Sequence, residues 1–203
     1  KMYNTTDFKD HAQLIFNQGL EGELRIGDAH SYGLELMAKK TKGKWTGWLS
    51  YTYSRVFKDI PLINGGKKYP AKYDQPHNIS FVTSYEFSKR FSLSMNWVYN
   101  TGRAVSMPTG KYVFQGQSIP IYSDKNSERL PAYHRLDLSA TLKGKKYDEK
   151  KFKGEWVFSI YNAYSRANAY SVNFVENAET GATEAQMLYL FKLIPSVTYN
   201  FKF

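Results

Sequence analysis

Four histidines are the first candidates for chemistry in this 203-residue chain. His11, His30, His77 and His134 fall one to a segment, with no His-x-His or His-x-x-x-His pair, so the spacing offers no metal site. Cysteine is absent, which removes thiolate metal ligands, disulfides and a cysteine nucleophile. His134-Arg135-x-Asp137 has the residue types of an acid/base group. On a strand, however, Arg135 and Asp137 share one face, which suits an ion pair better than catalysis. There is no Gly-x-Ser-x-Gly and no Gly-x-x-x-x-Gly-Lys. Gly65-Gly66-Lys67-Lys68 resembles a phosphate-cradling turn, but no helix follows it and a tight turn is the better reading. We therefore expect no catalytic residue, no metal and no cofactor.

Binding is the chemistry the residue types favour. Three long connections carry Tyr69, Tyr73, Asp74, Tyr112, Tyr122, Arg129 and Tyr170. Tyrosine and arginine on loops held by a rigid scaffold suit ligand capture. Packing of loop against loop is the other reading of the same residues. The net charge is +10, from 28 Lys and Arg against 18 Asp and Glu. Much of the positive charge lies in three clusters, Lys39–Lys44, Ser88–Arg90 and Lys143–Lys153. Such clusters can meet lipid phosphates or simply sit in solvent. Nucleic-acid binding would need cations and rings interleaved in one groove. Here the rings belong to strand faces, so no nucleic acid is expected.

The elements that must position these residues are strands. Apolar residues recur at period 2, not 3.6. Tyr32, Leu34 and Leu36, then Leu49 and Tyr51, then Ile79 and Phe81, then Leu93 and Met95, then Leu136 and Leu138, then Val197 and Tyr199 each alternate with polar or small residues. Glu155–Ser165 is strand-like too, but its alternation weakens at Tyr161-Asn162 and its facing stays open. The segments run about 9–12 residues, longer than the 5–6 of soluble strands and matched to a tilted crossing of a bilayer. Aromatics make up 17% of the chain and gather near strand ends, at Trp45, Tyr53, Phe87, Phe91, Tyr99, Trp156, Tyr164 and Phe203. That is the girdle of a membrane barrel. The connections alternate between short turns (Thr41–Lys44, Ser88–Arg90, the longer Gly144–Gly154) and long loops (Phe57–Pro76, Gly102–Tyr133, Ala167–Leu190), as such barrels require. No run approaches the length of a spanning helix. The expected fold is an all-β transmembrane antiparallel β-barrel. Tyr32, Leu34, Leu49, Tyr51, Phe81, Leu93, Leu136, Leu138, Val197 and Tyr199 should point to lipid, and Thr46, Ser50, Ser80, Ser94, Asp137 and Thr198 to the lumen.

Several stretches carry a family resemblance. Ser31-Tyr32-Gly33-Leu34-Glu35-Leu36, Gly47-Trp48-Leu49-Ser50-Tyr51-Thr52-Tyr53-Ser54-Arg55 and Tyr69-Pro70-Ala71-Lys72-Tyr73-Asp74-Gln75-Pro76-His77 come first. Tyr99-Asn100-Thr101-Gly102, Arg129-Leu130-Pro131-Ala132-Tyr133-His134-Arg135-Leu136-Asp137-Leu138, Ser159-Ile160-Tyr161-Asn162-Ala163-Tyr164 and Phe203 follow in order. From about residue 20 onward the chain resembles the C-terminal barrel portion of TonB-dependent outer-membrane receptors of the Bacteroidetes type. The resemblance implies a roughly 22-stranded barrel filled by an N-terminal plug. Residues 1–203 then supply about 7–8 C-terminal strands, with the plug and the earlier strands outside this chain, and Lys1–Ala12 reads as cut from something longer.

The function so implied is energised uptake of a scarce ligand, an iron chelate, cobalamin or glycan, across the bacterial outer membrane. Expected partners are outer-membrane lipid and lipopolysaccharide, the rest of the receptor with its plug, and, through the full receptor, TonB and the barrel-assembly machinery. Val197, Tyr199, Phe201 and Phe203 would form the C-terminal assembly signal. The alternative is a small closed eight-stranded barrel with a structural or adhesive role. Its narrow lumen would demand bulky or charged inward residues, whereas the inward faces here are mostly Ser, Thr, Asn and Gly. If the receptor reading holds, the strand ending at Phe203 pairs with a strand outside this chain and not with the segment near Lys1.

Overall fold

Period-2 alternation becomes one antiparallel sheet. The computed structural model describes residues 1–10, 19–114, 117–147, 149, 151–177 and 179–203. His11 and Ala12 lie outside the described residues, as do Gln115, Gly116, Asp148, Lys150 and Ala178 within the expected connections. Among the described residues eight strands form the wall: β1 (Met2–Phe8), β2 (Leu24–Lys40), β3 (Trp45–Asp59), β4 (His77–Glu86), β5 (Phe91–Asn100), β6 (Tyr133–Lys143), β7 (Lys153–Tyr161) and β8 (Ile194–Lys202). Each pairs with its neighbours in chain order. Among the described residues the two edges do not meet: β1 pairs with β2 alone and β8 with β7 alone. The wall is thus an arc of a larger barrel and not a closed barrel of eight.

Register keeps every face consistent across the arc. Trp45, Tyr85, Leu93, Ala140, Phe158 and Val197 stand side by side on six successive strands. One residue along, Thr46, Ser84, Ser94, Ser139, Ser159 and Ser196 form a row of hydroxyls on the opposite face. Ser94 Oγ donates to Ser84 Oγ across it at 3.0 Å. A one-residue slip of any strand would carry its rings into this polar row, so burial of one face in lipid would hold the register. All ten residues expected on the apolar face share it, and Thr46, Ser50, Ser80, Ser94, Asp137 and Thr198 share the other. The undecided segment resolves as well. Trp156, Phe158 and Ile160 join the apolar face opposite Tyr199, Val197 and Pro195. The alternation fails at Asn162 because the strand ends there, with Asn162 at φ 52°.

The apolar face is uncovered: Val197 is 61% exposed, Leu34 55% and Leu93 41%. Among the described residues the buried hydrophobics are Ala29, Ile60, Ile63, Tyr69, Ala71 and Ala104, all at the long-loop end. A water-soluble domain would bury a core along the sheet, because burial of apolar area is what offsets chain entropy. Here that area faces outward, as it does when lipid is the solvent.

The three long connections gather at one end and the three short turns at the other. Several boundaries differ from expectation. β3 runs on to Asp59 because Tyr69-Pro70 pairs with Lys58 and Phe57, Tyr133 already belongs to β6, and β7 begins at Lys153, where Lys153 and Gly154 pair with Lys202 and Phe201. The loops also hold structure of their own. Pro108–Phe114 pairs with Gln117–Tyr122, and Ser171–Glu176 pairs with Thr183–Leu188. These ribbons are too short for their alternation to stand out in the sequence.

Candidate functional site at the long-loop end

The loop residues are positioned by two carboxylates, Asp74, which is buried, and Asp7, which is half-buried. Asp74 is fully buried and its Oδ1 accepts from Val56 N–H at 2.7 Å and from Arg55 Nε at 3.3 Å. Arg129 Nη2 donates to Asp74 Oδ2, and Arg129 Nη1 donates to the carbonyls of Asp74 at 2.6 Å and Gly102 at 3.0 Å. One side chain on the 60–76 loop and one on the 101–132 loop are thereby locked together on the end of β3. Gly102 is required at this junction, since a Cβ there would stand 1.6 Å from the Leu130 carbonyl oxygen.

Asp7, at the tip of β1, is the second hub. Its carboxylate accepts from Lys58 Nζ at 2.9 Å, Lys125 Nζ at 2.8 Å and Tyr69 O–H at 3.0 Å. Burial opposes ionisation of Asp7, but the hydrogen bonds and charges of Lys125 and Lys58 outweigh it and hold the carboxyl below the usual carboxylate range. Burial, with Asp7 beside it, pushes the Tyr69 phenol well above its ordinary value. Asparagines complete the weave. Asn64 N–H donates to Asp10 Oδ2 at 2.8 Å, Lys125 N–H donates to Asn64 Oδ1 at 2.6 Å, and Asn126 Nδ2 donates to the Pro70 carbonyl at 2.8 Å.

The seven candidate binding residues therefore divide. Tyr69, Asp74 and Arg129 face protein partners. Tyr73, Tyr112, Tyr122 and Tyr170 are exposed. Tyr122 lines a cleft of about 210 Å³ with Lys9, Asp10, Asn64, Asp124 and Lys125. Tyr170 lines another of about 320 Å³ with Arg103, Tyr133, Asn168 and Phe191. Tyr73 and Tyr112 line neither. Asp7, Lys58, Asn64, Lys125 and Asn126 were not candidates in the sequence. Asn-Gly-Gly at 64–66 signals a turn, but nothing in the sequence couples it to Lys125, 61 residues away.

The remaining candidates sit apart. Arg135 and Asp137 form the ion pair expected on the polar face, Nη2 to Oδ2 at 2.8 Å, and Arg135 Nη1 also meets the hydroxyls of Tyr133 at 2.9 Å and Tyr161 at 2.8 Å. Asp137 Oδ1 accepts from Asn162 N–H at 3.0 Å and so fixes the exit from β7. The described histidines all lie on the apolar face as partners of rings. His30 stacks on Phe57, His77 Nδ1 lies 3.0 Å from Tyr51 Oη, and His134 Nδ1 lies 2.7 Å from Tyr164 Oη. Val197, Tyr199 and Phe201 follow one another on the apolar face of β8, and Phe203 continues their stack. A concavity of about 740 Å³ lies on this face between Trp45, Phe87, Leu138 and Val197, far from the loop cluster.

An open antiparallel arc with one uncovered apolar face, a hydroxyl-rich opposite face and interlocked loops at one end is the wall of a large transmembrane β-barrel. The family described as TonB dependent receptor-like, beta-barrel matches residues 6–170, most of the chain, and the chain belongs to that family. It is a family of transporters, typically of the outer membrane. The match stops short of β8, whose place in the wall rests on its pairing with β7. No curated protein and no solved structure matches the chain.

Proposed function

We propose that the chain is part of an outer-membrane TonB-dependent transport receptor of the Bacteroidetes type, serving energised uptake of a scarce ligand such as an iron chelate, cobalamin or a glycan. The observation that carries this reading is the open arc itself. An unpaired strand edge in hydrocarbon leaves N–H and C=O groups unsatisfied at several kcal/mol each. Further strands of the receptor would complete both edges. The arc would then be the C-terminal third of the barrel, and the hydroxyl row from Thr46 to Ser196 would face the plug. The apolar face would meet membrane lipid and the long-loop end lipopolysaccharide. TonB and the assembly machinery would act through the whole receptor, with Val197, Tyr199, Phe201 and Phe203 as the assembly signal. Tyr73, Tyr112, Tyr122 and Tyr170 would touch ligand, while Tyr69, Asp74 and Arg129 hold the loops that present them.

The absence of cysteine makes the test direct. Single cysteines at Tyr112 and Tyr170 should react with a membrane-impermeant maleimide on intact cells. Cysteines at Lys42 and Lys89 should react only after the outer membrane is opened. The reverse pattern would invert the orientation, and labelling of all four in intact cells would remove the membrane wall.

A further inference from the structure

Charge is distributed along this wall in a way that the receptor reading does not use. The short-turn rim, taken as the described residues of 39–44, 86–90 and 143–155 with Lys202, holds 12 of the 28 Lys and Arg but only 3 of the 18 Asp and Glu. It therefore carries +9 of the chain's net +10, and the rest of the molecule is almost neutral. The two ends also differ in how cations are used. At the long-loop end Lys9, Arg55, Lys58, Lys125 and Arg129 are all ion-paired within the chain. Among the described residues of the rim there is one ion pair, Lys146 with Glu149 at 3.6 Å, and both side chains are largely exposed.

The rim cations sit against rings. Lys40 shares the apolar face in register with Gly47, and its Nζ lies 5.2 Å from the Trp45 ring. Lys143 and Lys153 approach the Tyr147 ring at 5.4 and 5.6 Å. Tyr85, Phe87, Phe91, Trp156 and Tyr199 lie on or beside the same rim. An aromatic belt marks the level where acyl chains give way to headgroups, and lysine stems extend from it into the headgroup layer. A solvated turn would need neither the unpaired excess nor its contact with the belt.

We propose that this rim is a docking surface for the phosphate groups of anionic phospholipid in the leaflet at the short-turn end. The proposal rests on the membrane-wall reading above, and the test separates the two. The receptor is reconstituted in phosphatidylcholine vesicles containing trace phosphatidylglycerol or phosphatidylcholine spin-labelled on the acyl chain. Electron spin resonance then gives the motionally restricted fraction of each. The expected result is a preference for phosphatidylglycerol of about threefold at low salt, collapsing in 1 M NaCl, where the screening length is about 3 Å. Replacing Lys42, Lys44, Lys89, Lys145 and Lys151 together by Gln should abolish the preference. These five have no ion-pair partner among the described residues, so restricted phosphatidylcholine should be unchanged and reports that the variant is folded. Equal restriction of both lipids by the wild type, or an undiminished preference in the variant, overturns the proposal and leaves the wall intact. Loss of the preference in free phosphate at matched ionic strength would reassign the rim to a soluble anion and also overturn it. No restricted lipid of either kind would overturn the wall itself.

Discussion

Replacing Asp74 by Ala should release the 60–76 loop from the end of β3 without unfolding the wall. Asp74 is fully buried and accepts from Val56 N–H, Arg55 and Arg129, while the side chains of Arg55 and Arg129 keep 23% and 29% exposure. The alanine removes the acceptor and leaves two half-buried guanidiniums facing each other and the half-buried Val56 amide unpaired. Removing one partner of a buried pair costs about 3–5 kcal/mol. That corresponds to a rise of roughly 150- to 5,000-fold in the local opening constant. Hydrogen exchange read by mass spectrometry should show it at Val56 and Ala71, whose amides are bonded to Asp74 Oδ1 and to the Val56 carbonyl. Exchange in β4 and β5 should stay as in the wild type. Asp74→Asn, which keeps one acceptor oxygen but no charge, should fall between. If exchange at Val56 and Ala71 rises less than about threefold in the alanine variant, the ion-pair cluster is not what holds the loop, and the reasoning from burial and charge fails.

Four further outcomes are expected. Leu138→Arg, on the exposed apolar face, should destabilise the inserted protein by about 2–4 kcal/mol in urea titration in lipid, and Ser139→Arg on the polar face much less. Because Asp7 is held below the usual carboxylate range, its ties to Lys58 and Lys125 stabilise the loop end at pH values above the unfolded-state value of about 3.9 and are lost as pH falls through the folded one. Trypsin cleavage after Lys67 or Lys68 before and after acid pulses should therefore rise only below about pH 4, and Asp7→Asn should cleave readily at all pH values. Gly102→Ala, whose Cβ would meet the Leu130 carbonyl oxygen, should break the Arg129 bond to the Gly102 carbonyl and reproduce the exchange phenotype of Asp74→Ala. Cysteines at Ser84 and Ser94, opposite each other in register, should form a disulfide under mild oxidation, while a pair at Ser84 and Leu93 should not.

The strands and their facing were legible in the sequence because a strand's side chains alternate strictly. The apolar face of β2 to β6 could be read residue by residue, and the short turns fixed which neighbours pair. β7 resisted, since Asn162 leaves the strand just where Tyr161 ends the alternation, and β1 showed no alternation from which its facing could be read. The placement of the loops at one end followed from the parity of the connections.

What the tertiary structure alone decided lies in the loops and at the rim. Tyr69, Asp74 and Arg129 look like Tyr73 and Tyr170 in sequence. Their partners Asp7, Arg55 and Gly102 are far along the chain, and no local pattern encodes a contact across such a separation. The openness of the arc was expected from the small inward residues and from the family resemblance, not from the strand pattern. Period 2 sets which face a residue takes and is silent on how strongly the sheet curves, and among the described residues the hydrogen bonds of β1 and β8 show two edges that do not meet. The sequence held the charges of the rim, and parity put the three short turns at one end; what folding added is that Lys40, Lys143 and Lys153 stand beside the rings of Trp45 and Tyr147, because cation and ring meet in space only once their strands and turns are formed.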